Sequence, residues 1–280
     1  MSTIAYLNGA YGPIEETRIS VLDRGFLFGD GVYEVFPVYG GKGFLQDRHL
    51  ERLEKGLATV RIENPHTRAQ WNELLDELIR RNGGGNQAIY LQVTRGVAPR
   101  LHAFPEGVTP TVLVTSRPLA TATDIKPARV VTRPDIRWGR CDIKSISLLG
   151  NVLLRQEAVD ADCTESILIR DNQVTEGAAS NVFVVRNNRV VTPPDKRLLF
   201  SGTTRNLVIE LATAAGIPVD MASIPATTLH DVDEMWITGS IMEVVPVIEV
   251  DGHPVGDGRP GPFWKKIWSL FQDYRDRYSI

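Results

Sequence analysis

Two helical hydrophobic periods, set back to back between runs rich in β-branched and aromatic residues, most constrain what this chain can build. From Arg48 to Val60, Leu50, Leu53, Leu57 and Val60 fall three and four apart, and from Arg68 to Arg81 the residues Trp71, Leu74, Leu75 and Leu78 repeat the pattern. That spacing is one face of a helix. Asp47 stands where a side-chain cap would open the first helix, and Gly83-Gly84-Gly85 closes the second. Ahead of them, Val32–Tyr39 reads as a strand that turns on Gly40-Gly41 and resumes at Phe44-Leu45, a hairpin. After them, Ala88–Thr94 and Thr111–Thr115 read as strands joined by Arg95–Pro110, a loop by its Gly and Pro content.

The stretch Ser116–Asp124 has little apolar content and carries a proline. It reads as a linker, taken as residues 117–124, between an N-terminal domain of residues 1–116 and a C-terminal domain of residues 125–280. A length of 280 residues fits two domains. The second half offers strands at Ala128–Thr132, Ser166–Arg170, Asn181–Arg186, Glu234–Thr238 and Val247–Val250, and helices at Leu148–Ala161, Arg205–Ala215 and Pro262–Tyr278. Strands and helices interleave without a regular βαβ period, which favours an α+β fold over a doubly wound sheet.

With 31 basic against 34 acidic residues the formal charge is -3, which gives no electrostatic reason to expect nucleic acid or an anionic membrane as partner. Small molecules and other copies of the chain are the expected partners. Cys141 and Cys163 are the only cysteines and lack zinc spacing, so they are expected as reduced thiols in a cytoplasmic protein. No apolar run approaches the roughly 18 residues of a spanning helix, and Met1–Gly9 does not read as a signal peptide. His49, His66, His230 and His253 have no partner spacing, and no metal site or triad is expected on them.

Four stretches carry residues suited to chemistry. In Cys141-Asp142-Ile143-Lys144-Ser145, a lysine beside an apolar residue in a partly desolvated site would supply a neutral amine able to condense with an aldehyde; taken alone, it also reads as a solvated surface lysine. In Val174–Asn181, Glu176 precedes a run of small residues that would let a flat ligand approach the backbone, and a carboxylate beside a pyridine nitrogen keeps it protonated; a surface-turn Glu is the alternative. Ser201-Gly202-Thr203-Thr204-Arg205 precedes a helical pattern and suits a phosphate, or Thr204 is simply an N-cap. Arg100 and His102 lie two apart on the Arg95–Pro110 loop, placed to hold a carboxylate or to be solvated there.

These stretches occur in one order that is recognisable as a whole. The passages RGFLFGDGVYEVFPVY (Arg24–Tyr39), HLERL (His49–Leu53), CDIKSISLLGNVLLRQEA (Cys141–Ala158) and TEGAASNVF (Thr175–Phe183) resemble the signatures of fold-type IV enzymes dependent on pyridoxal 5'-phosphate (PLP). That group holds D-amino-acid aminotransferases, branched-chain aminotransferases and aminodeoxychorismate lyases, and the likeness runs from Tyr6-Leu7-Asn8-Gly9 to Val255-Gly256-Asp257-Gly258. The resemblance implies a two-domain α+β fold, a small N-terminal α/β domain and a larger C-terminal α/β pseudo-barrel domain. It implies that Lys144 carries PLP as a Schiff base and shuttles the proton, that Glu176 faces the pyridine nitrogen, and that Arg52, Thr203, Thr204 and Ser240 hold the phosphate.

Within the group, IYLQVTRGVAPRLHAFP (Ile89–Pro105) resembles the substrate loop of the D-amino-acid aminotransferases. The resemblance implies that Tyr33, Arg100 and His102 trap the α-carboxylate of a D-amino acid or 2-oxo acid, the last two reaching across a homodimer. The chain departs from the pattern at Ala178-Ala179-Ser180, where a serine run is usual, and beside Ser240, where Gly239, Ile241 and Met242 stand in place of further hydroxyls. L-branched-chain transamination and lyase chemistry are the alternatives within the family, and a catalytically silent binding protein is the alternative outside it.

Overall fold

The computed structural model describes residues 2–120, 125–195 and 197–278. The chain divides into two compact units, one made of the described residues within 1–121, 143–148 and 277–280, the other of those within 122–142 and 149–276. Of the stretch expected as a linker, residues 121–124 lie outside the described residues, and its first two positions are still strand.

Unit one holds β1 (Ile4–Leu7), β2 (Ala10–Pro13), the short helix α1 (Arg24–Phe28), β3 (Gly31–Tyr39), β4 (Lys42–Gly43), helices α2 (Gln46–Thr59) and α3 (Arg68–Arg81), β5 (Gln87–Thr94) and β6 (Thr111–Pro118). Among the described residues its strands form a six-stranded sheet in the order β2-β1-β6-β5-β3-β4. Alternation drives the packing: Val32, Phe36 and Val38 of β3 and Ile89, Leu91 and Val93 of β5 meet Leu50, Leu53 and Leu57 of α2 and Trp71, Leu75 and Leu78 of α3 in one buried core.

Helix α3 has the bounds its periodicity predicts, opened by a Thr67–Gln70 capping box. Helix α2 does not open on Asp47. Gly40 and Gly41, at φ +56° and +84°, turn the hairpin so tightly that the return strand is Lys42–Gly43 rather than Phe44-Leu45. Leu45 then enters the left-handed region at φ 54°, so the helix starts at Gln46 and Asp47 falls inside its first turn.

Unit two holds β7 (Ala128–Pro134), α4 (Leu149–Asp160), β8 (Glu165–Arg170), β9 (Gln173–Gly177), β10 (Asn181–Arg186), β11 (Arg189–Thr192), α5 (Thr203–Ala214), β12 (Val219–Met221), β13 (Glu234–Gly239), β14 (Glu243–Val250), β15 (His253–Pro254) and α6 (Pro262–Tyr278), whose last residues count with unit one. The strand order is β12-β11-β10-β13-β14-β7-β8-β9, with β15 on β14. Strand β9 ends that path, yet a turn through Ala178–Ser180 leads it directly into β10, third along the path, with the Gly177 amide donating to Ser180 O at 2.7 Å. The sheet therefore curls back toward itself, the half-barrel of an α+β fold. Among the described residues no helix is long and apolar enough to cross a membrane.

Candidate active site

Lys144 belongs to unit one, although its flanking sequence belongs to unit two. Strand β4 pairs only with Val38 and Tyr39, so the first half of the same β3 edge is open to another segment. Residues 143–146 take it: the Tyr33 amide donates to Lys144 O at 3.0 Å, the Ile146 amide donates to Gly31 O at 3.1 Å, and Ser145 bridges Val32 antiparallel. That pairing fixes the backbone of the lysine, whose Nζ sits 4.2 Å from the centroid of the Tyr33 ring.

One residue along β3, Glu34 points the other way, into the phase of Val32, Phe36 and Val38, and is buried. Its Oε1 and Oε2 accept from Arg52 Nε at 2.8 Å and Nη2 at 2.7 Å, and His49 Nδ1 lies 2.7 Å from Oε2. Burial pushes the Glu34 carboxyl up, but Arg52 and the hydrogen bonds outweigh it and hold it at about 2. An ionised carboxylate only accepts, so the Nδ1 tautomer of His49 carries the shared proton. Burial lowers the His49 pKa against the pull of Glu34, helped by the positive charges of Arg52 and Lys144. Lys144, Tyr33 and Arg52 thus fall in one neighbourhood of unit one.

Arg100 and His102 gather elsewhere in that unit, around Phe28. The Arg100 Cζ stands 5.3 Å from the Phe28 centroid and the His102 ring 5.5 Å from it, both side chains exposed.

In unit two, Glu176 is buried at the end of β9. Among the described residues every group bonded to its oxygens is a donor: Arg137 Nη1 at 2.5 Å, Asn181 Nδ2 at 3.0 Å and the Phe200 amide at 3.1 and 3.2 Å. Burial nevertheless pushes it up to about 7, opposed by Arg137 and assisted by the charge of Asp135. A second cluster forms where α5 begins. The helix starts at Thr203 with Gly202 as N-cap, so Thr204 is not the cap, and the first-turn amides receive no capping side chain from Gly202. Thr203 and Thr204 are buried there, and the Thr203 and Ser240 hydroxyl oxygens lie 3.4 Å apart. Ser180 does not stand ready for a ligand: its hydroxyl donates to Glu165 Oε2 at 2.9 Å.

The model of class IV aminotransferases matches residues 31–250. This chain is a class IV aminotransferase. The D-alanine aminotransferase of Bacillus licheniformis is 39% identical to it over 268 residues, 95% of each chain, and that of Staphylococcus haemolyticus is 35% identical over 280 residues, 99% of each. Among solved structures, the branched-chain aminotransferase of Thermoproteus uzoniensis with norvaline aligns at a TM-score of 0.88 and 25% identity, covering 100% of this aminotransferase and 95% of that chain. The T.th. branched-chain amino acid aminotransferase with pyridoxamine 5'-phosphate aligns at 0.88 and 26%, with the same coverage.

Sequence reasoning passes over several residues of this aminotransferase that hold the candidate ones in place. His49 shows no partner spacing to another histidine or a cysteine, yet it sits three residues before Arg52 on α2, the spacing of one helical face, and both reach Glu34. A glutamate in the buried phase of an apolar strand is the signal for Glu34. Arg137 and Asp135, which lie just ahead of the Cys141–Ala158 passage, carry no such signal. Arg137 reaches Glu176 across 39 residues of sequence, and Asp135 is bonded to Arg137.

Proposed function

We propose that this aminotransferase moves an amino group between a D-amino acid, such as D-alanine or D-glutamate, and a 2-oxo acid, such as 2-oxoglutarate or pyruvate, with PLP as cofactor. The observation that carries the reading is the likeness over 95% of the chain to a D-alanine aminotransferase. The donor set fits a phosphorylated pyridine aldehyde. Lys144 offers an amine held by its backbone, Glu176 an anionic acceptor ringed by donors, and the start of α5 a helix N-terminus with the Thr203, Thr204 and Ser240 hydroxyls close by. Arg52 supplies a guanidinium whose orientation Glu34 fixes.

When bound, PLP supplies an aldehyde that condenses with amines and a ring that, protonated, withdraws the electrons freed at the α-carbon. The protein does the rest. Lys144 Nζ would take the proton from the substrate α-carbon and hold it for return, acting as base and then acid. Glu176, as an anion, keeps the pyridine nitrogen protonated. Arg52, Thr203, Thr204 and Ser240 hold the phosphate, while Tyr33, Arg100 and His102 take the substrate carboxylate.

In this reading the working form is a homodimer in the cytoplasm, with Arg100 and His102 delivered to the partner's site. Around these two residues Leu22, Phe26, Val97, Leu101 and Phe104 are all exposed, Phe26 by 69% and Leu101 by 66%. A patch of that kind is what a second copy covers. The two cysteines stay as thiols.

L-branched-chain transamination is the second reading, favoured by the solved structures of branched-chain enzymes. A panel of D- and L-amino acids with 2-oxoglutarate as acceptor separates the two: D-alanine turning over faster than L-leucine is expected, and the reverse order overturns the D reading. Lys144→Ala should abolish turnover and the visible absorbance of the holoenzyme. Retained turnover would remove the lysine from its role.

A further inference from the structure

The passage RGFLFGDG holds two charged residues to which the function above gives no task, Arg24 and Asp30. Arg24 is 3% exposed, an uncommon state for an arginine. Its Nε donates to Asp30 Oδ2 at 2.7 Å, and its other nitrogens leave α1 for the substrate loop: Nη1 donates to Leu101 O at 2.5 Å and to Ala103 O at 3.4 Å, Nη2 to His102 O at 3.4 Å.

A second buried arginine meets the same carboxylate. Arg95 donates from Nε to Asp30 Oδ2 at 2.8 Å and from Nη2 to Oδ1 at 3.0 Å, then reaches Val60 O and Arg61 O at 2.8 Å each, at the end of α2. The backbone repeats the link, with the Arg24 amide on Gly96 O at 2.9 Å and the Arg95 amide on Asp30 O at 3.0 Å. Burial pushes the Asp30 carboxyl up, but the two guanidiniums outweigh it and hold it below its ordinary value. Phe28, on α1, carries the faces of Arg24, Arg100 and His102 together, the Arg24 Cζ at 4.9 Å from its centroid.

We propose that Arg24, Asp30, Arg95 and Phe28 form a frame that presents Arg100 and His102 to the substrate carboxylate, with Arg24 as the positioning residue that sets affinity for α-carboxylate substrates. A guanidinium traps a carboxylate well only when its fork is already aimed. The loop is held at its start and in its middle: Arg95 fastens the start, and Arg24 fastens the backbone at Leu101, His102 and Ala103. Loss of the Arg24 side chain should leave the pairing of residues 143–146 with β3 in place and loosen what Arg100 and His102 are built on.

This rests on the reading that Arg100 and His102 act across a homodimer, and a mixed-dimer experiment separates the two. Subunits with different tags are coexpressed and the mixed dimer is purified, one subunit bearing Lys144→Ala and the other Arg24→Leu. In the Arg24→Leu homodimer the KM for D-alanine should rise about tenfold or more while kcat changes little. In the mixed dimer the live lysine meets a loop framed by an intact Arg24, so the wild-type KM should return with about half the kcat per dimer. The control pairs Arg100→Ala with Lys144→Ala: a mixed dimer with Arg24→Leu that keeps the high KM while this control regains the wild-type KM overturns the frame. If both pairs keep the high KM, the cross-dimer reading is wrong, and the frame is then decided by the Arg24→Leu homodimer, where an unchanged KM overturns it.

A readout without turnover comes from hydrogen exchange. Arg24→Lys keeps a charge near Asp30 but cannot span three carbonyls, so the bonded loop amides, Ala98 on Leu22 O and Leu101 on Pro99 O, should exchange about tenfold or more faster than in the wild type, with β3 unchanged. Unchanged exchange in that loop also overturns the frame. Should Arg24→Leu not fold, Phe28→Ala replaces it in the same mixed dimer with the same expected outcome.

Discussion

Replacing Glu34 by Gln removes the charge on which Arg52 is aimed and keeps the shape. Glu34 is 1% exposed and its carboxyl is held at about 2, against 4.5 for a free glutamate. At ~1.4 kcal/mol per pKa unit that gap is worth roughly 3 kcal/mol to the folded state. An independent route gives a similar figure, since breaking a buried ion pair from one side costs about 3–5 kcal/mol. The Arg52 side chain is 16% exposed and meets some water, which argues for the lower end.

The sign follows from a lowered carboxyl. Its contribution is complete above pH 4.5 and disappears as pH falls toward 2, so the deficit of Glu34→Gln should be largest at neutral pH and roughly 1 kcal/mol smaller at pH 4. Hydrogen exchange of the β3 and α2 amides in the cofactor-free protein reads the opening free energy of unit one directly. Adding Arg52→Met should recover part of the loss, because the guanidinium that has lost its Glu34 partner goes with it. A variant within about 0.5 kcal/mol of wild type at pH 7, or a deficit that does not change between pH 7 and 4, would refute the reasoning.

Two further perturbations test unit two. Arg137→Met takes away the main influence lowering the Glu176 pKa, so the acid limb of the kcat profile should move to higher pH, by about one unit or more, because the proposed function needs Glu176 ionised; Asp135→Asn removes a charge that raises it and should move the limb the other way. Equal shifts of one sign in both variants would contradict the assignment. Gly202→Ala places a Cβ against Asn181 Oδ1, disturbing at once the N-cap of α5 and a donor to Glu176, so equilibrium dialysis should show PLP affinity reduced about tenfold or more; unchanged affinity would detach this turn from the phosphate.

What can be read from the sequence is what local period decides. Helices α3 and α6 and strand β10 have the bounds their patterns predict, the helices because one apolar face sets their register and the strand because a short apolar run buried on both faces ends at exposed Arg186. Strands β11 and β12 escape such a reading, being four and three residues long, too short for a period to show. Helices α2 and α5 begin elsewhere than their expected caps because backbone conformation at Leu45 and Gly202, rather than a hydroxyl or carboxylate, sets where they start. Lys144, Glu176 and the Arg100–His102 pair stand out through resemblance of whole passages. Arg24 and Asp30 lie inside one of those passages yet have no visible task there, since the bond from Arg24 to Leu101 spans 77 residues and no local pattern records it.

Two buried glutamates, each bonded to an arginine, end at opposite sides of the ordinary carboxylate range, and the difference lies in how the arginine is shared. Arg52 gives Glu34 two bonds, and His49 adds a third donor. Arg137 gives Glu176 one bond and gives two to Asp135, whose own charge lies close enough to raise Glu176 further. The same burial that Glu34 overcomes therefore leaves Glu176 near neutrality. Glu34 stays ionised through the working pH range and serves as a fixed clamp on Arg52. Glu176 is poised near neutral pH, where, in the proposed function, a protonated ring nitrogen facing it would shift its balance, and Arg137 and Asp135 set that point between them.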